Sequence, residues 1–479
     1  MATEKQDYQS FEEVHICAHR RPKTYRRHYL ALVLGLASGV VLLLHFCGSK
    51  STAFPHLTWP SRTHHDEFDL YEHLGHRSPY FVPSNTPESL LSGTPPGCTV
   101  SKAFLVHRHG SRHPHAEELT LIKDLSYYIN NNSALFKDPQ SQLPDVWSFL
   151  AEGWNNTLSI DALTASGRKQ LFDHGVALRL HYPDLYTEAE VLAGDEDRVV
   201  ESARWFMDGY YGRSSNTTAT LSILGENDDT ISWITPHQTC DRWDEKFGED
   251  KLAAWRAAYL PPIAKRIHDT LSKAYPGVRF TEEHVHAMLY ACAYETAANG
   301  IGSSPWCNVF LPEEILDHEY ESDLQMRGFS GYGLPGEMGT VLGSLLASNM
   351  THFLRKDDGP KLSLGFGHDK TIALGLTALG LASDKSFPAS GPIDPDRAWQ
   401  AGKLMPFGAS MFWTRLECGK EKRIQLMMDG ANFGLGETGC KIDKWGSCSF
   451  KDFQKTDVVK AALKVTHGDK RWKGVCHSK

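Results

Sequence analysis

The feature that most constrains the fold is a short basic turn, His107-Arg108-His109-Gly110-Ser111-Arg112-His113-Pro114. The apolar run Ala103–Val106 precedes this turn, and a helical pattern follows it from His115. A strand, a glycine turn and a helix in this order predict an α/β sheet with the turn at the carboxyl end of the strand, where such sheets bind ligands. The two arginines supply forked cationic donors that suit a phosphate group, and the histidine between them, if held neutral, can attack phosphorus. The alternative is a basic surface turn, and the length of the pattern argues against it.

Two further apolar runs, Leu362–Phe366 and Ile424–Met428, are each followed by a helix-like stretch, and this alternation also predicts an α/β sheet. The stretch from about 200 to 325 is mostly helical in pattern, and we interpret it as a helical insertion into the α/β unit. Its clearest segments are Lys251–Tyr259, Ile263–Tyr275 and Thr281–Ala298. Because no internal repeat or disordered linker follows Cys98, residues 98–479 are predicted to form one large globular domain.

An uncharged apolar stretch near the N-terminus, Tyr29–Cys47, predicts a transmembrane signal anchor. As a helix its 19 residues span about 28 Å, close to the hydrocarbon thickness of a bilayer. Because basic residues cluster ahead of it, residues 1–28 are predicted to be a cytoplasmic tail and the remainder to be extracellular or luminal, as in a type II membrane protein. The alternative is a cleaved signal peptide and a secreted protein. We interpret residues 48–97, rich in Pro, Ser, Thr and His, as a stalk and a surface-wrapped entry segment.

Cysteine and asparagine patterns agree with this topology. Eight cysteines follow the predicted anchor, and an even number fits four disulfides formed in an oxidising compartment. They are Cys98, Cys240, Cys292, Cys307, Cys418, Cys440, Cys448 and Cys476. No spacing among them is typical of a zinc site. Asn-x-Ser/Thr sequons, which favour a glycosylated secretory-pathway protein, begin at Asn131, Asn155, Asn216 and Asn349.

Three motifs carry a resemblance to a known family. The pattern Arg108-His109-Gly110-x-Arg112-x-Pro114 resembles the signature of the histidine acid phosphatases, the branch that includes fungal phytases and secreted acid phosphatases. The second motif is the pair His368-Asp369 after a Gly-flanked apolar run, and the third is Arg198 at the head of a helix after a strand. The resemblance covers about residues 74–476. It implies a mixed sheet flanked by helices, with a mostly helical inserted subdomain.

The resemblance also implies a mechanism and a set of disulfides. His109 attacks the phosphoryl group of a small phosphate monoester and forms a phosphohistidine, and Asp369 protonates the leaving alkoxide. The groups that neutralise the equatorial oxygens are Arg108, Arg112, Arg198 and His368. Because these side chains carry enough charge, neither a metal nor another cofactor is expected. The implied disulfides are Cys98–Cys418, Cys240–Cys476, Cys292–Cys307 and Cys440–Cys448.

Departures from the family pattern bear on the substrate. His113 stands where an aromatic Tyr is frequent, and Asp195-Glu196-Asp197 precede the arginine of the third motif, where we interpret them as a solvated loop. After the first motif the chain has Glu117 and Glu118 with only Lys123 further on, whereas phytases gather basic residues around the pocket. The sequence therefore favours a broad acid phosphatase, with a phytase as the nearest alternative.

Other classes of protein fit the sequence less well. The chain has 58 Asp and Glu against 50 Lys and Arg, which argues against a nucleic-acid partner, because neutralising a phosphate backbone needs a basic face. A phosphoglycerate-mutase-like transferase shares the Arg-His-Gly chemistry, but a cytosolic enzyme would not carry an anchor and eight luminal cysteines. The non-enzyme alternative is an inactive ligand-binding surface protein, and the presence of every expected catalytic residue argues against it.

Overall fold

A computed structural model describes residues 68–186 and 189–477 of the chain. Its described part contains one mixed sheet of eight strands. The strands are β1 (Cys98–Arg108), β2 (Ala189–Gly194), β3 (Ala219–Leu224), β4 (Leu362–Gly367), β5 (Ser410–Cys418), β6 (Glu421–Met428), β7 (Ala431–Phe433) and β8 (Cys448–Ser449). Across the sheet the order is β3-β2-β4-β1-β5-β6-β7, and β8 pairs with β6. The predicted α/β class with a mixed sheet is confirmed.

Helices cover both faces of the sheet and form a separate lobe. They are α1 (Ala116–Asn131), α2 (Ser133–Phe136), α3 (Phe149–Glu152), α4 (Ala165–His181), α5 (Asp197–Tyr211), α6 (Ser215–Thr218), α7 (Glu249–Leu271), α8 (Glu282–Asn299), α9 (Pro312–Ser330), α10 (Met338–Arg355), α11 (Asp369–Leu379), α12 (Ala401–Leu404), α13 (Phe450–Phe453), α14 (Asp457–Ala462) and α15 (Lys470–Cys476). Strand β1 shows why both faces are covered. Phe104 and Val106 point into one apolar cluster with α10 and α11, while Ala103 and Leu105 point into another with α4 and α5.

The two halves of the sheet differ in strand direction. Strands β1, β2, β3 and β4 pair in parallel, whereas the pairs formed by β5, β6, β7 and β8 are antiparallel. The register sets Arg108 opposite Gly367 and Gly194 opposite Leu224. The four parallel strands therefore end at one edge of the sheet, and the loops that leave this edge carry the motif residues.

The prediction of a helix-like stretch after Ile424–Met428 is wrong. Strand β6 turns back into β7, with Met428 opposite Ala431. The turn between them is Asp429-Gly430, and both residues have positive φ, 51° and 86°. An Asp-Gly pair in this conformation is typical of a two-residue hairpin, because the turn twists in the same sense as the strands.

The region 200–325 departs from the predicted pattern in two places. It contains β3, which pairs in parallel with β2 and so belongs to the sheet. The segments predicted separately at 251–259 and 263–275 join in one helix, α7, which continues through Pro261 and Pro262 and ends at Leu271. Trp255, Tyr259, Ile263 and Ile267 recur every fourth residue and are all buried in the lobe's own core, so tertiary packing outweighs the hydrogen bonds that the prolines remove.

The first part of the entry segment is buried, whereas most of residues 81–97 are exposed or half-buried. Leu74, His76 and Arg77 are each at most 5% exposed, and residues 68–97 belong to the same compact unit as the rest of the described chain. The backbone of this segment reaches the sheet edge, where Phe407 N donates to Ser78 O at 3.1 Å. The segment therefore forms one wall of the site described below.

The cysteines pair as the family resemblance implies, in the bonds Cys98–Cys418, Cys240–Cys476, Cys292–Cys307 and Cys440–Cys448. Three of the sequon asparagines are exposed, and Asn349 is half-buried in the middle of α10. The predicted anchor at 29–47 lies outside the described residues. Within 68–186 and 189–477 no helix has the length and apolar character needed to span a bilayer.

Candidate active site

The turn after β1 is fixed from both sides. His109 N donates to Gly367 O at 3.0 Å, and Gly408 N donates to His109 O at 3.0 Å. Gly110 lies so close to α4 that an added Cβ would sit 2.5 Å from the carbonyl oxygen of Gly167. Only glycine fits there, because the helix backbone cannot give way. The sheet and α4 thus set the position of the candidate nucleophile.

His109 is held in the neutral form and in one tautomer. The ring is 2% exposed, and Nδ1 lies 2.9 Å from the Gly110 carbonyl oxygen, so Nδ1 carries the proton and donates it. Burial, and then the positive charges of Arg198 and Arg108, hold the pKa of His109 well below its usual value. The Nε2 atom is therefore an unprotonated lone pair even at acidic pH, which is the state that attack on phosphorus requires.

The guanidinium groups around His109 have unused donors. Arg108 is fully buried, and its Nη1 donates to the carbonyl oxygens of His76 and Met405. Its guanidinium also lies 4.6 Å from the centre of the Phe407 ring. Within the described part of the chain, several buried guanidinium nitrogens make no hydrogen bond, and those near His109 include Nε of Arg108, Arg112 and Arg198. Buried donors without partners are costly, and an anion bound among them would satisfy them.

Arg198 begins α5 directly after β2, as predicted, but its surroundings differ from the prediction. Glu196 is half-buried and forms an ion pair with Nη2 of Arg198, so the interpretation of 195–197 as a solvated loop is wrong for this residue. Asp161 accepts from Nη1 of Arg198 at 2.6 Å and lies 3.9 Å from Nε of Arg112. Two carboxylates therefore hold Arg198 and face the same space that a phosphate group would enter.

His368 and Asp369 lie where β4 ends and α11 begins. The rings of His109 and His368 are 5.7 Å apart at 73°. Asp369 Oδ2 lies 2.9 Å from Nη2 of Arg108. Burial alone would raise the pKa of Asp369, but the positive charge of Arg108 and the neighbouring basic groups together hold the pKa well below its usual value. In the free protein Asp369 is thus ionised, with Arg108 as its partner.

The sequence analysis gave no place in the site to three charged residues that lie beside it: Arg77, Glu118 and Glu226. Arg77 of the entry segment donates to Glu118 and to the hydroxyl of Tyr294, and Glu118 lies 4.0 Å from Arg112. Burial would raise the pKa of Glu118, but Arg77 and Arg112 hold it far below its usual value. The third missed residue, Glu226, accepts from His368. Its only sequence signal is its place just after an apolar run.

Two clusters in the described ranges bring three potential metal-ligating atoms within 4.8 Å of one another: Glu196-Glu226-His368 and His286-His318-Glu321. In the first, Glu196 pairs with Arg198 and Glu226 with His368. In the second, Arg256 contacts Glu321 at 2.7 Å. In both clusters the carboxylates are thus already neutralised by cationic or donor groups of the chain, which weakens their attraction for a metal ion.

The fold and the site together define an α/β protein with a cluster of buried arginine and histidine side chains at the carboxyl ends of its parallel strands. The family model of the histidine phosphatase superfamily (branch 2) matches residues 99–429. The chain belongs to this superfamily, and the resemblance inferred from its motifs is confirmed.

Curated relatives include both phytases and acid phosphatases. A phytase of Candida albicans, PHO112, is 24% identical over 417 residues, covering 85% of this chain and 88% of the relative. An acid phosphatase of Schizosaccharomyces pombe is 28% identical over 394 residues, covering 78% and 83%. Among solved structures, the phytase from D. castellii matches with a TM-score of 0.75 and 22% identity over 90% of this chain and 93% of that one. The structural match supports the fold.

Proposed function

We propose that the protein is a phosphoric monoester hydrolase of the acid phosphatase type that works through a phosphohistidine. The observation that carries the proposal is the neutral His109, whose Nε2 is unprotonated and lies among guanidinium groups with unused donors. This arrangement supplies a nucleophile and a cationic cradle for the transferred group, which is most of what phosphoryl transfer requires.

In the first step Nε2 of His109 forms a bond to phosphorus, and the bond between phosphorus and the ester oxygen breaks. The charge on the equatorial oxygens is neutralised by Arg108, Arg112, Arg198 and His368. Asp369 gives a proton to the leaving oxygen. In the second step water attacks phosphorus and loses a proton to Asp369, while the phosphorus–nitrogen bond breaks, releasing phosphate and restoring His109.

The ionised state of Asp369 in the free protein must change when substrate binds. Arg108 holds the pKa of Asp369 low, and a bound phosphate ester shares that guanidinium. The negative charge of the ester therefore raises the pKa of Asp369 in the complex, since a like charge disfavours the carboxylate. Proton uptake coupled to binding favours work at acidic pH.

The carboxylates around the arginines favour substrates with a single phosphate. Asp161, Glu196 and Glu118 each contact or approach a candidate phosphate-binding arginine. A second or third phosphate on the same molecule would meet these like charges, and like charges oppose binding.

Phytate hydrolysis is the alternative function, and it is supported by the relatives that are named phytases. The ratio of turnover on phytate to turnover on a small aryl phosphate separates the two, and we expect it to be below one.

The proposed location is extracellular or luminal. The four disulfides and the exposed sequon asparagines support it, because both modifications belong to the secretory pathway. We further propose that residues 29–47 anchor the protein as a type II membrane protein, with release after signal cleavage as the alternative.

The direct test is a phosphoenzyme that is acid-labile and alkali-stable, trapped by rapid alkaline quench during turnover of an aryl phosphate. The His109→Ala protein should form none and should lose turnover. His113→Ala, which alters a half-buried ring of the same turn, should still form the phosphoenzyme. A folded His109→Ala protein with near-normal turnover would refute the assignment of the nucleophile.

A further inference from the structure

Glu226 is a buried carboxylate beside the candidate site that lies outside the motifs. It follows β3 by two residues and is 8% exposed. Its Oε1 atom lies 2.6 Å from Nε2 of His368. Its Oε2 atom is buried and makes no hydrogen bond to any described residue. A carboxylate with a purely structural role is expected to have both oxygens paired, because an unpaired buried polar atom costs free energy.

Local structure holds Glu226 against His368 through several independent contacts. Glu226 N donates to Oδ1 of Asp195 at 3.2 Å, and Oγ1 of Thr235 donates to Glu226 O at 2.7 Å. Gly194 at the end of β2 leaves room for this carboxylate, since a Cβ there would lie 2.5 Å from Oε1 of Glu226. The backbone of Glu226 is thus held at both its N–H and its carbonyl, and its carboxylate fills the space beside Gly194.

The hydrogen bond to Glu226 decides which ring nitrogen of His368 is free for substrate. With Nε2–H donating to Glu226, Nδ1 is the atom left to reach a phosphoryl oxygen. A ring that donates from both nitrogens carries two protons and a positive charge. Burial would raise the pKa of Glu226, but the hydrogen bond from His368 and the charge of Arg198 lower it. An ionised carboxylate 2.6 Å from a ring nitrogen favours an imidazole that donates from both nitrogens.

We propose that Glu226 is a positioning residue that orients His368 and keeps it doubly protonated, so that the ring donates a hydrogen bond to the transferring phosphoryl group. The inference rests on the proposed phosphatase function and extends it to a residue that touches neither substrate nor nucleophile. Carboxylates play this part in other active sites, where they accept a hydrogen bond from one ring nitrogen of a histidine and so orient its other nitrogen.

Several charged or titratable groups lie around Glu226 and the His368 ring. A carboxylate oxygen of Glu196 lies within 4.8 Å of a carboxylate oxygen of Glu226 and of a ring nitrogen of His368, and this carboxylate pairs with Arg198 from α5. The other groups are His109 from the turn after β1, His237 from the segment before α7, and Asp369 and Lys370 from α11 itself. Among these groups Glu226 makes the direct contact with a ring nitrogen. Removing its charge should therefore change the pH dependence of the reaction in a way that a general loss of packing would not.

The test uses Glu226→Gln in the full chain, because the amide oxygen can still accept from Nε2 but carries no charge. We expect kcat on an aryl phosphate to fall about 10- to 100-fold. We also expect the alkaline limb of the pH–kcat profile to move to lower pH by about one unit or more, since a nearby opposite charge shifts a titration by this amount. Glu226→Asp keeps the charge but is too short for the 2.6 Å contact. It should lower kcat while leaving the alkaline limb in place.

The matched control is Glu295→Gln, which alters another buried carboxylate, bonded to Trp154 and Ser304 in the helical lobe. It should leave the pH profile unchanged. Calorimetric titration with inorganic phosphate gives a second readout that needs no turnover, and its alkaline fall in affinity should shift with Glu226→Gln. If the wild-type protein hydrolyses no ester, the proposed function fails while the titration still reports on Glu226. An unshifted alkaline limb in Glu226→Gln, or wild-type kcat in Glu226→Asp, would overturn the inference.

Discussion

Replacing Asp369 with Asn should separate the role of leaving-group acid from the role of charge neutralisation. The amide keeps the shape of the side chain but has no acidic proton to give. General acid catalysis contributes about 10²- to 10⁴-fold, and its benefit grows as the leaving group becomes poorer. We therefore expect kcat on an alkyl phosphate to fall by about 10²- to 10⁴-fold. With an aryl phosphate whose phenolate leaves without a proton, the loss should be below about tenfold.

The same variant should bind phosphate more tightly, because Asp369 occupies Arg108 in the free protein. Their 2.9 Å separation and an effective dielectric constant of about 20 give an attraction of about 6 kcal/mol before the cost of desolvation. Asp369 competes with a bound anion for Arg108. If the anion gains about a quarter of this attraction when the carboxylate is removed, the inhibition constant of inorganic phosphate falls about tenfold, since 1.4 kcal/mol corresponds to that factor. Lower kcat on alkyl esters together with tighter phosphate binding is a combination that simple misfolding does not produce.

The assay compares kcat and phosphate inhibition for the two esters in the wild-type, Asp369→Asn and Arg198→Ala proteins. In the proposed mechanism Arg198 neutralises charge on the transferred group that both esters share, so Arg198→Ala should slow both by similar factors. Equal losses for the two esters in Asp369→Asn would refute the role of Asp369 as leaving-group acid.

Three further predictions concern pH, stability and topology. Turnover of an aryl phosphate should persist at pH 5, because the pKa of buried His109 lies below its usual value and the ring stays neutral there; an acid limb near pH 6.5 would contradict this. Cys292 and Cys307 are 15 residues apart, and replacing both with Ser should lower the free energy of unfolding by about 3 kcal/mol in urea titrations. The change in kcat at 25 °C should be small, because this disulfide lies in the helical lobe. Full-length protein should stay in the membrane after carbonate washing and lose apparent mass on glycosidase treatment, whereas a soluble form beginning near residue 49 would indicate a cleaved signal.

The sequence alone determined the strand–turn–helix units of the site. His109 and His368 both follow apolar runs that became parallel strands, and Arg198 heads a helix after a third strand. These units are local: an apolar run, a glycine and a helix start are adjacent in the chain, so short-range pattern is sufficient to place them. The mixed sheet itself was implied by the family resemblance, since the alternation of runs could not reveal that the Asp429-Gly430 turn makes a hairpin.

Tertiary structure decided which charges face the candidate site. Glu196, Asp161 and Glu226 are separated along the chain, and nothing in their local pattern distinguishes an inward carboxylate from a solvated one. The continuity of α7 through Pro261 and Pro262 also depends on tertiary structure, because burial of the helix's apolar face outweighs the tendency of proline to break a helix. Buried charges pair through contacts between segments that are distant in the chain. These contacts form only when the folded strands bring their ends to one edge of the sheet, so the local sequence pattern does not reveal them.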